Sequence, residues 1–181
     1  FETDQLDLND ENLVKAAYSN SSTMGGEILA DGDRVPSFLV WAQRDKHGAP
    51  LQRVQIIKGS ISQFDSSPTE IIYDVACSNG LEVNPETNRC PDNGARVDIE
   101  TCAFSKDVGS AELKATWTDP EFNPNDRAFY YVRVLENPTC RWSTWDAIKR
   151  GLAPRPDIHD TIQERAWSSP IWFVPTGSNE L

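Results

Sequence analysis

The sequence predicts a mainly β protein, an antiparallel β-sandwich of about seven strands with one or two short helices. Residues 127–136 alternate between two sets of β-branched and aromatic side chains, and a period of two is the pattern of a strand. Six more segments of this kind are separated by loops rich in Gly, Pro, Asn and Asp, which is typical of sandwiches. The chain also has six Trp, seven Phe and four Tyr, which supply large apolar side chains for a core.

The strands differ in how their apolar residues alternate. Both faces of 127–136 are largely apolar, so we expect this strand at the centre of a sheet. Segment 111–118 alternates apolar with polar residues, which predicts one buried and one solvated face. Residues 46–49 predict a hairpin turn between the first two strands, with His47 exposed, and Pro170 predicts an edge strand or a bulge in the last segment. The predicted strands lie in residues 38–42, 51–58, 69–77, 95–102, 111–118, 127–136 and 165–174.

Two short helices are predicted, and the first lies near the N-terminus. Asn9 or Asp10 can cap a helix that runs through Leu13 and Tyr18. The Ser- and Gly-rich residues 19–26 should end it.

The second helix follows strand 127–136 after Pro138. Ser143 is the predicted N-cap, with Asp146 three residues later as its partner. Lys149 suits the negative end of the helix dipole, and Gly151 supplies a left-handed stop.

The chain divides by composition into three parts. Residues 1–35 are predicted to be an N-terminal arm, residues 36–175 the sandwich, and residues 176–181 a tail. The first twelve residues contain five acids and no basic residue, and the chain begins with Phe1. We therefore expect the arm to continue from an upstream domain that this chain lacks.

Charge and hydropathy exclude some partners. The formal net charge of −11 argues against non-specific binding to nucleic acid or to anionic membranes, because both require a basic field. The sequence has no apolar run near 18 residues, so no membrane span is predicted. A chain of 181 residues suits one domain with a core of its own, or one domain plus arms.

The four cysteines predict disulfides and an oxidising compartment. Successive cysteines are separated by 12, 11 and 37 residues, a poor spacing for structural zinc. Four cysteines allow three pairings; we favour Cys77 with Cys90, which closes a short polar loop, and Cys102 with Cys140. The alternative is four buried free thiols in a cytosolic protein.

No catalytic or cofactor-binding residue is predicted. Only two histidines are present, 112 positions apart, and the sequence has no nucleophile elbow, phosphate-binding glycine loop or zinc-protease motif. One loop offers oxygen ligands in the alternation of a calcium site, but it lacks the sixth-position glycine and has Tyr130 at the twelfth place. A proline-set turn with Asx hydrogen bonds is the alternative. The calcium candidates are Asp119, Glu121, Asn123 and Asp126.

Three stretches carry a resemblance to a known family: LQRVQIIKG (51–59), ELKATWTDPEFNPNDRAFYYVRVLENPTCRWSTWDA (112–147) and TIQERAWSSPIWF (161–173). They are similar to the carboxy-terminal part of the bacterial domain-of-unknown-function 3604 family (DUF3604). Met24-Gly25-Gly26 matches a segment that precedes the first of these strands in that family. The last strand also resembles the end of many proteins of the polymerase and histidinol phosphatase (PHP) superfamily of metal-dependent phosphoesterases.

The resemblance implies a part of a larger enzyme. Relatives are several times longer, are often exported, and carry clusters of histidines and acids that bind a divalent metal in an upstream, barrel-like region. No position of this sequence matches those ligand motifs. We therefore expect a non-catalytic C-terminal β-domain that packs on and stabilises the upstream catalytic domain of the same polypeptide, in a periplasmic or secreted protein whose substrate is not implied.

Two other functions stay open from the sequence. One is a carbohydrate- or polymer-binding module, because exposed tryptophans can stack on sugars; the candidates are Trp41, Trp117, Trp142 and Trp145. The other is a small self-contained hydrolase that uses the carboxylates of residues 119–126.

Overall fold

A computed structural model describes residues 7–32 and 34–175 of the chain. The described residues form ten strands and two α-helices, so the mainly β class is confirmed. Residues 1–6 of the predicted arm and the predicted tail 176–181 lie outside this range. In chain order the elements are α1 (Leu13–Asn20), β1 (Glu27–Leu29), β2 (Ser37–Gln43), β3 (Leu51–Ile61), β4 (Pro68–Cys77), a 3-10 turn (Ser78–Gly80), β5 (Glu112–Thr118), β6 (Arg127–Glu136), β7 (Thr139–Cys140), α2 (Trp142–Lys149), β8 (Thr161–Ile162), β9 (Arg165–Trp167) and β10 (Ile171–Val174).

The larger sheet has six strands with β6 at its centre, as the apolar character of both its faces predicted. Its order is β1-β10-β6-β3-β4, and β9 pairs with β6 beside β10. Strand β3 is antiparallel to β6 along almost its whole length, with Lys58 opposite Tyr130. The pairing of β1 with β10 is parallel, whereas the other pairs in this sheet are antiparallel.

The smaller sheet consists of β2 and β5, which pair antiparallel over seven residues. It packs on one face of the larger sheet, here called the inner face; the opposite side is called the outer face. As predicted, β5 directs Leu113 and Ala115 into the core and Glu112 into solvent. Residues from both sheets form the core between them: Phe38, Val40, Leu51, Val54, Ile56, Leu113, Ala128, Tyr130 and Phe173.

The predicted hairpin between the first two strands is wrong. The turn itself exists, since the Gly48 N–H donates to the Asp45 carbonyl at 3.1 Å, and His47 is exposed as expected. However, β2 pairs with β5 and β3 pairs with β4 and β6, so the turn connects two different sheets. Turn residues specify a reversal of the chain but not the partner of each strand.

Two other strand predictions needed correction. Residues 95–102 do not form a strand; Val97 makes a single bridge with Phe104, and Cys102 has a φ of 56°. Segment 165–174 forms two short strands, β9 and β10, because Pro170 between them has no N–H to donate to the ladder. The sequence also missed the short strands β1, β7 and β8.

Both helices are present, but their caps differ from prediction. Helix α2 begins at Trp142 with extended Arg141 at the N-cap, so Ser143 lies inside the first turn. The β7–β8 ladder sets this start, because the Arg141 N–H donates to the Asp160 carbonyl at 2.9 Å. Gly151 ends the helix with a φ of 66°, as predicted. In α1 the N-cap position is Asn12, without a side-chain hydrogen bond.

The segment assigned to the N-terminal arm contributes two elements. Leu13 of α1 is 2% exposed, and β1 extends the larger sheet beside β10. Within the described residues, no helix is long and apolar enough to cross a bilayer.

Two disulfides join the cysteines as expected. Cys77 bonds to Cys90 and Cys102 bonds to Cys140, which leaves no free cysteine. The first ties the polar loop after β4 back to that strand, and the second ties the loop before β5 to β7. The free-thiol alternative is therefore wrong. Two disulfides are consistent with an extracellular or periplasmic location.

Candidate functional site

A polar cluster lies in the sandwich core where β3, β6 and the end of β5 meet. The register of β3 on β6 places Lys58 beside Tyr130, and the alternation of both strands directs the two side chains to the inner face. Asp119 follows β5 directly, and its N–H donates to the Pro36 carbonyl at 3.3 Å. The two sheets therefore each contribute to this cluster.

The cluster is centred on the Asp119 carboxylate. The Lys58 Nζ lies 2.6 Å from Asp119 Oδ2, and these side chains are 6% and 0% exposed. The Tyr130 hydroxyl donates to the same oxygen at 2.7 Å, and the Glu121 N–H donates to Oδ1 at 3.0 Å. Lys58 also donates to the Glu121 carbonyl at 2.7 Å. Each charge is thus compensated inside the core, as burial requires.

Two pairs of aromatic rings lie near this ion pair, and the Tyr130 hydroxyl contacts it directly. The rings of Phe38 and Tyr130 are 4.6 Å apart between centroids, and those of Tyr73 and Trp117 are 4.9 Å apart. Burial, followed by the hydrogen bond to the charged Asp119, raises the pKa of Tyr130. Burial, followed by the charges of Glu121 and Asp119, raises the pKa of Tyr73 to about 12. Both hydroxyls therefore stay protonated at neutral pH.

Three of the four calcium candidates line a cavity of about 190 Å³ next to this cluster. Glu121, Asn123 and Asp126 line the cavity together with Lys58, whereas Asp119 is held in the ion pair. The Asp126 carboxylate accepts from the Gln63 N–H at 3.1 Å.

The loop also makes the Asx hydrogen bonds of the alternative interpretation. Asp119 Oδ1 accepts from the N–H of Glu121, and Asn123 Oδ1 accepts from that of Asn125 at 3.1 Å. The described residues contain no group of three or more His, Cys, Asp or Glu that could hold a metal ion. The calcium site stays a prediction. The Lys58 ammonium lines the same cavity, and its positive charge would repel a bound cation.

A second buried carboxylate, Asp74, lies on the outer side of β4. Its oxygens accept from Gln55 Nε2 at 2.5 Å and from the Cys90 N–H at 2.7 Å. Arg53 and Arg89 lie 3.7 and 3.9 Å away. This cluster holds the loop 78–94 against the sheet and supports the Cys77–Cys90 disulfide.

Sequence reasoning missed Lys58 and Asp74. The available signal was a charged residue inside an apolar strand, at a position that alternation directs into the protein. A charge at such a position needs a buried partner.

The four tryptophans named as sugar-binding candidates do not share a surface. Trp117 is half-buried in the core, whereas Trp41 projects from the other side of the small sheet under the ammonium of Lys114, 4.0 Å from its ring centre. Trp142 and Trp145 lie on α2 and are 82% and 43% exposed.

The outer face of the larger sheet is rich in exposed aromatic side chains. Phe129 contacts Tyr131 and Trp172, with centroid distances of 6.3 and 5.4 Å. Trp172 is 48% exposed and Trp167, opposite Arg133 on β6, is 58% exposed. Leu29 at the edge of the sheet is 72% exposed. These five residues, Leu29, Phe129, Tyr131, Trp167 and Trp172, are called the aromatic patch below.

An open groove of about 670 Å³ begins at Trp167 and runs along β8 and β9. Arg141, Gln163 and Arg165 contribute to its walls. Gln163 Nε2 donates to Gln52 Oε1 at 2.9 Å across the groove. The groove is polar and joins the aromatic patch at Trp167.

Comparison with known proteins yields one family. No curated protein and no solved structure matches the chain. A family model described as "Protein of unknown function (DUF3604)" matches residues 1–175. The match covers the three stretches that resembled this family, together with the disulfide loops between them. The chain therefore belongs to the DUF3604 family.

Proposed function

We propose that this chain is a non-catalytic C-terminal β-domain of an exported, metal-dependent hydrolase, and that it packs on and stabilises an upstream catalytic domain of the same polypeptide. The aromatic patch is the observation that carries the proposal. In this role the divalent metal, the catalytic residues and the substrate site belong to the upstream domain, which is expected to be of the PHP phosphoesterase type.

The patch has the character of a surface that another protein domain covers. Large half-exposed aromatic rings on a β-sheet face are costly in water, and burying them supplies much of the energy of interfaces. Trp167 and Trp172 lie on neighbouring short strands that pair with the same central strand. Their backbones are held by the sheet, so little ordering is needed when a partner binds.

The buried carboxylates support a structural role for the described residues. Asp119 and Asp74 each accept hydrogen bonds on both oxygens from groups of the protein. A catalytic base must instead reach a substrate proton from an accessible position. Both carboxylates connect elements: Asp119 joins the two sheets, and Asp74 joins β4 to its disulfide-closed loop.

The proposal is tested in the full-length protein with two charge substitutions in the patch, Trp167→Glu and Trp172→Glu. Each should lower the Tm of the full-length protein and increase hydrogen exchange in the upstream domain, because a carboxylate would be buried in the interface. Trp142→Glu on α2 is the matched control, since Trp142 is 82% exposed and lies outside the patch. Equal behaviour of all three variants would reject the patch as the docking surface.

A second measurement tests whether metal binding and hydrolysis belong to the upstream domain. The isolated chain should bind no transition metal and hydrolyse no phosphate or sulfate ester, whereas the full-length protein should do one or both. Hydrolysis by the isolated chain that is lost on Asn123→Ala would instead support the self-contained hydrolase.

The groove beside Trp167 favours one alternative, a carbohydrate-binding module. A tryptophan ring beside glutamine and arginine side chains is a suitable surface for a sugar, because the ring stacks and the polar groups hydrogen-bond. Titration of tryptophan fluorescence with a glycan panel tests this function. Unchanged emission in the wild-type chain would exclude it.

A further inference from the structure

We propose that Lys58 and Asp119 form a covalent side-chain amide, an isopeptide cross-link between β3 and the segment that follows β5. This inference does not depend on the proposed function. It rests on the buried Lys58–Asp119 pair, on the two hydrogen-bond donors that hold the carboxylate, and on the near-complete burial of both side chains.

The reacting groups are already in contact. The Nζ of Lys58 lies 2.6 Å from Asp119 Oδ2, and neither side chain is more than 6% exposed. Lys58 is fixed by the register of β3 on β6, and the Asp119 backbone is fixed by its bond to Pro36. Holding a nucleophile and a carboxyl group in this way replaces a bimolecular encounter by a unimolecular step.

The condensation balances without another reactant. The ammonium transfers one proton to the carboxylate, which gives a neutral amine and a carboxylic acid. The amine lone pair attacks Cγ of Asp119 and forms the N–C bond; the C–Oδ2 bond then breaks. Oδ2 leaves as water, carrying the transferred proton and a second proton from the nitrogen. No oxidant or reductant is needed.

Two donors are placed to assist these steps. The Glu121 N–H, 3.0 Å from Oδ1, can stabilise negative charge on that oxygen in the tetrahedral intermediate. The Tyr130 hydroxyl, 2.7 Å from Oδ2, can donate its proton to the leaving oxygen and recover one from the nitrogen. Tyr130 is therefore assigned as the proton donor and Glu121 as the oxyanion donor.

The surroundings favour the product. Two opposite charges that are 6% and 0% exposed carry a desolvation cost, whereas an amide is neutral. The Asp119 side chain is 0% exposed, which shields the carbonyl carbon of the amide from solvent. The cross-link would join the two sheets, and, unlike the two disulfides, it would resist reduction.

Mass spectrometry of the purified 181-residue chain tests the proposal. After full reduction and denaturation, the mass should be lower than the sequence mass by one water. Trypsin should fail to cleave after Lys58, and tandem spectra should show a branched peptide that joins Lys58 to Asp119. A succinimide at Asp31-Gly32 would lose the same mass, but its peptide would be linear.

Lys58→Arg is the matched variant, because it retains the positive charge but removes the nucleophilic amine. Its mass should equal its sequence mass. Tyr130→Phe should accumulate uncross-linked protein, since the proton donor is lost. A wild-type chain with the full sequence mass, cleaved by trypsin after Lys58, would show a plain ion pair and overturn the proposal.

Discussion

The two faces of the six-stranded sheet are made from similar residues but have different surroundings. On the inner face, Phe173 is 2% exposed and Tyr130 is 2% exposed, because β2 and β5 cover them. On the outer face, Trp172, the neighbour of Phe173 in β10, is 48% exposed. Adjacent residues of one strand thus differ only by the face to which alternation assigns them.

This difference shows which face of the sheet is covered by the rest of the chain and which face is left partly exposed. The inner face includes the Lys58–Asp119 pair, which joins both sheets and makes its hydrogen bonds internally. On the outer face, the Asp74 cluster holds the loop 78–94 beside β4, whereas the side chains of Trp167 on β9 and Trp172 on β10 are about half exposed. Stability should therefore depend on the inner face, and association on the outer one.

The largest effect is expected from Lys58→Met on the inner face. Without the lysine nitrogen, the Asp119 carboxylate is buried with neither a countercharge nor a covalent bond, which should cost at least about 3–5 kcal/mol of unfolding free energy in urea denaturation. Arg150→Met is the control, because its ion pair with Asp146 is exposed and should change stability by less than about 0.5 kcal/mol. Equal losses would contradict the assignment of Lys58 to the core.

The direct comparison of the faces is Phe173→Ala against Trp172→Ala. Phe173 packs edge-on against Phe122 at 4.9 Å, and its truncation should cost about 3–5 kcal/mol in the isolated chain. Trp172→Ala should cost about 1 kcal/mol there, because half of its surface is already in water. In a polypeptide that carries the proposed upstream domain, the Trp172→Ala cost should rise, and an unchanged cost would argue against a covered outer face.

Alkaline pH should weaken the inner face through its tyrosines. The pKa of Tyr73 is about 12 in the folded chain, whereas an unfolded tyrosine titrates near about 10. A raised folded pKa means that the stability is complete below about pH 10 and is lost as the pH rises towards about 12, by on the order of 2 kcal/mol. Urea midpoints across this range measure the loss. Tyr73→Phe should make the profile shallower but not flat, because the pKa of Tyr130 is raised as well; an unchanged slope would contradict the role of Tyr73.

A small effect is expected from Gly59→Ala on the outer face. A Cβ at Gly59 would lie 2.2 Å from the ring of Phe129, so the ring must move away from the sheet. We expect a loss of about 1–2 kcal/mol in urea denaturation, because the displaced ring gives up packing in the aromatic patch. The double variant Gly59→Ala/Phe129→Ala should show a smaller loss than the sum of the single changes. Additive losses would mean that the ring does not occupy this space.

Much of the fold was predictable from local patterns. The alternation in 111–118 and 127–136 correctly identified a one-sided strand and a central strand, and Gly151 correctly marked a helix end. The preferred cysteine pairing was also found. Errors arose where a distant segment decides the local structure. Ser143 is not the N-cap of α2, because the pairing of β7 with β8 makes the helix begin earlier in the chain. Strand β2 pairs with β5 and not, as a hairpin would require, with β3.

Less of the candidate site than of the fold could be predicted from the sequence. Asp119 was noted as an oxygen ligand in a loop, but its partner Lys58 is 61 positions earlier in the chain. Ion pairs of this kind depend on register between strands, and single-sequence patterns do not contain that register. Nor did the sequence show that β10 would bury Phe173 and leave its neighbour Trp172 half-exposed.

By itself, the sequence determined the mainly β class, the position of most strands and the residues that could occupy a core, because these depend on side-chain size, alternation and turn chemistry within a few residues. The tertiary structure alone decided which strands share a sheet, which face of each strand is covered and which carboxylate meets the buried lysine. Those outcomes depend on contacts between segments distant in the chain, where packing and charge compensation select one arrangement from several with the same local pattern.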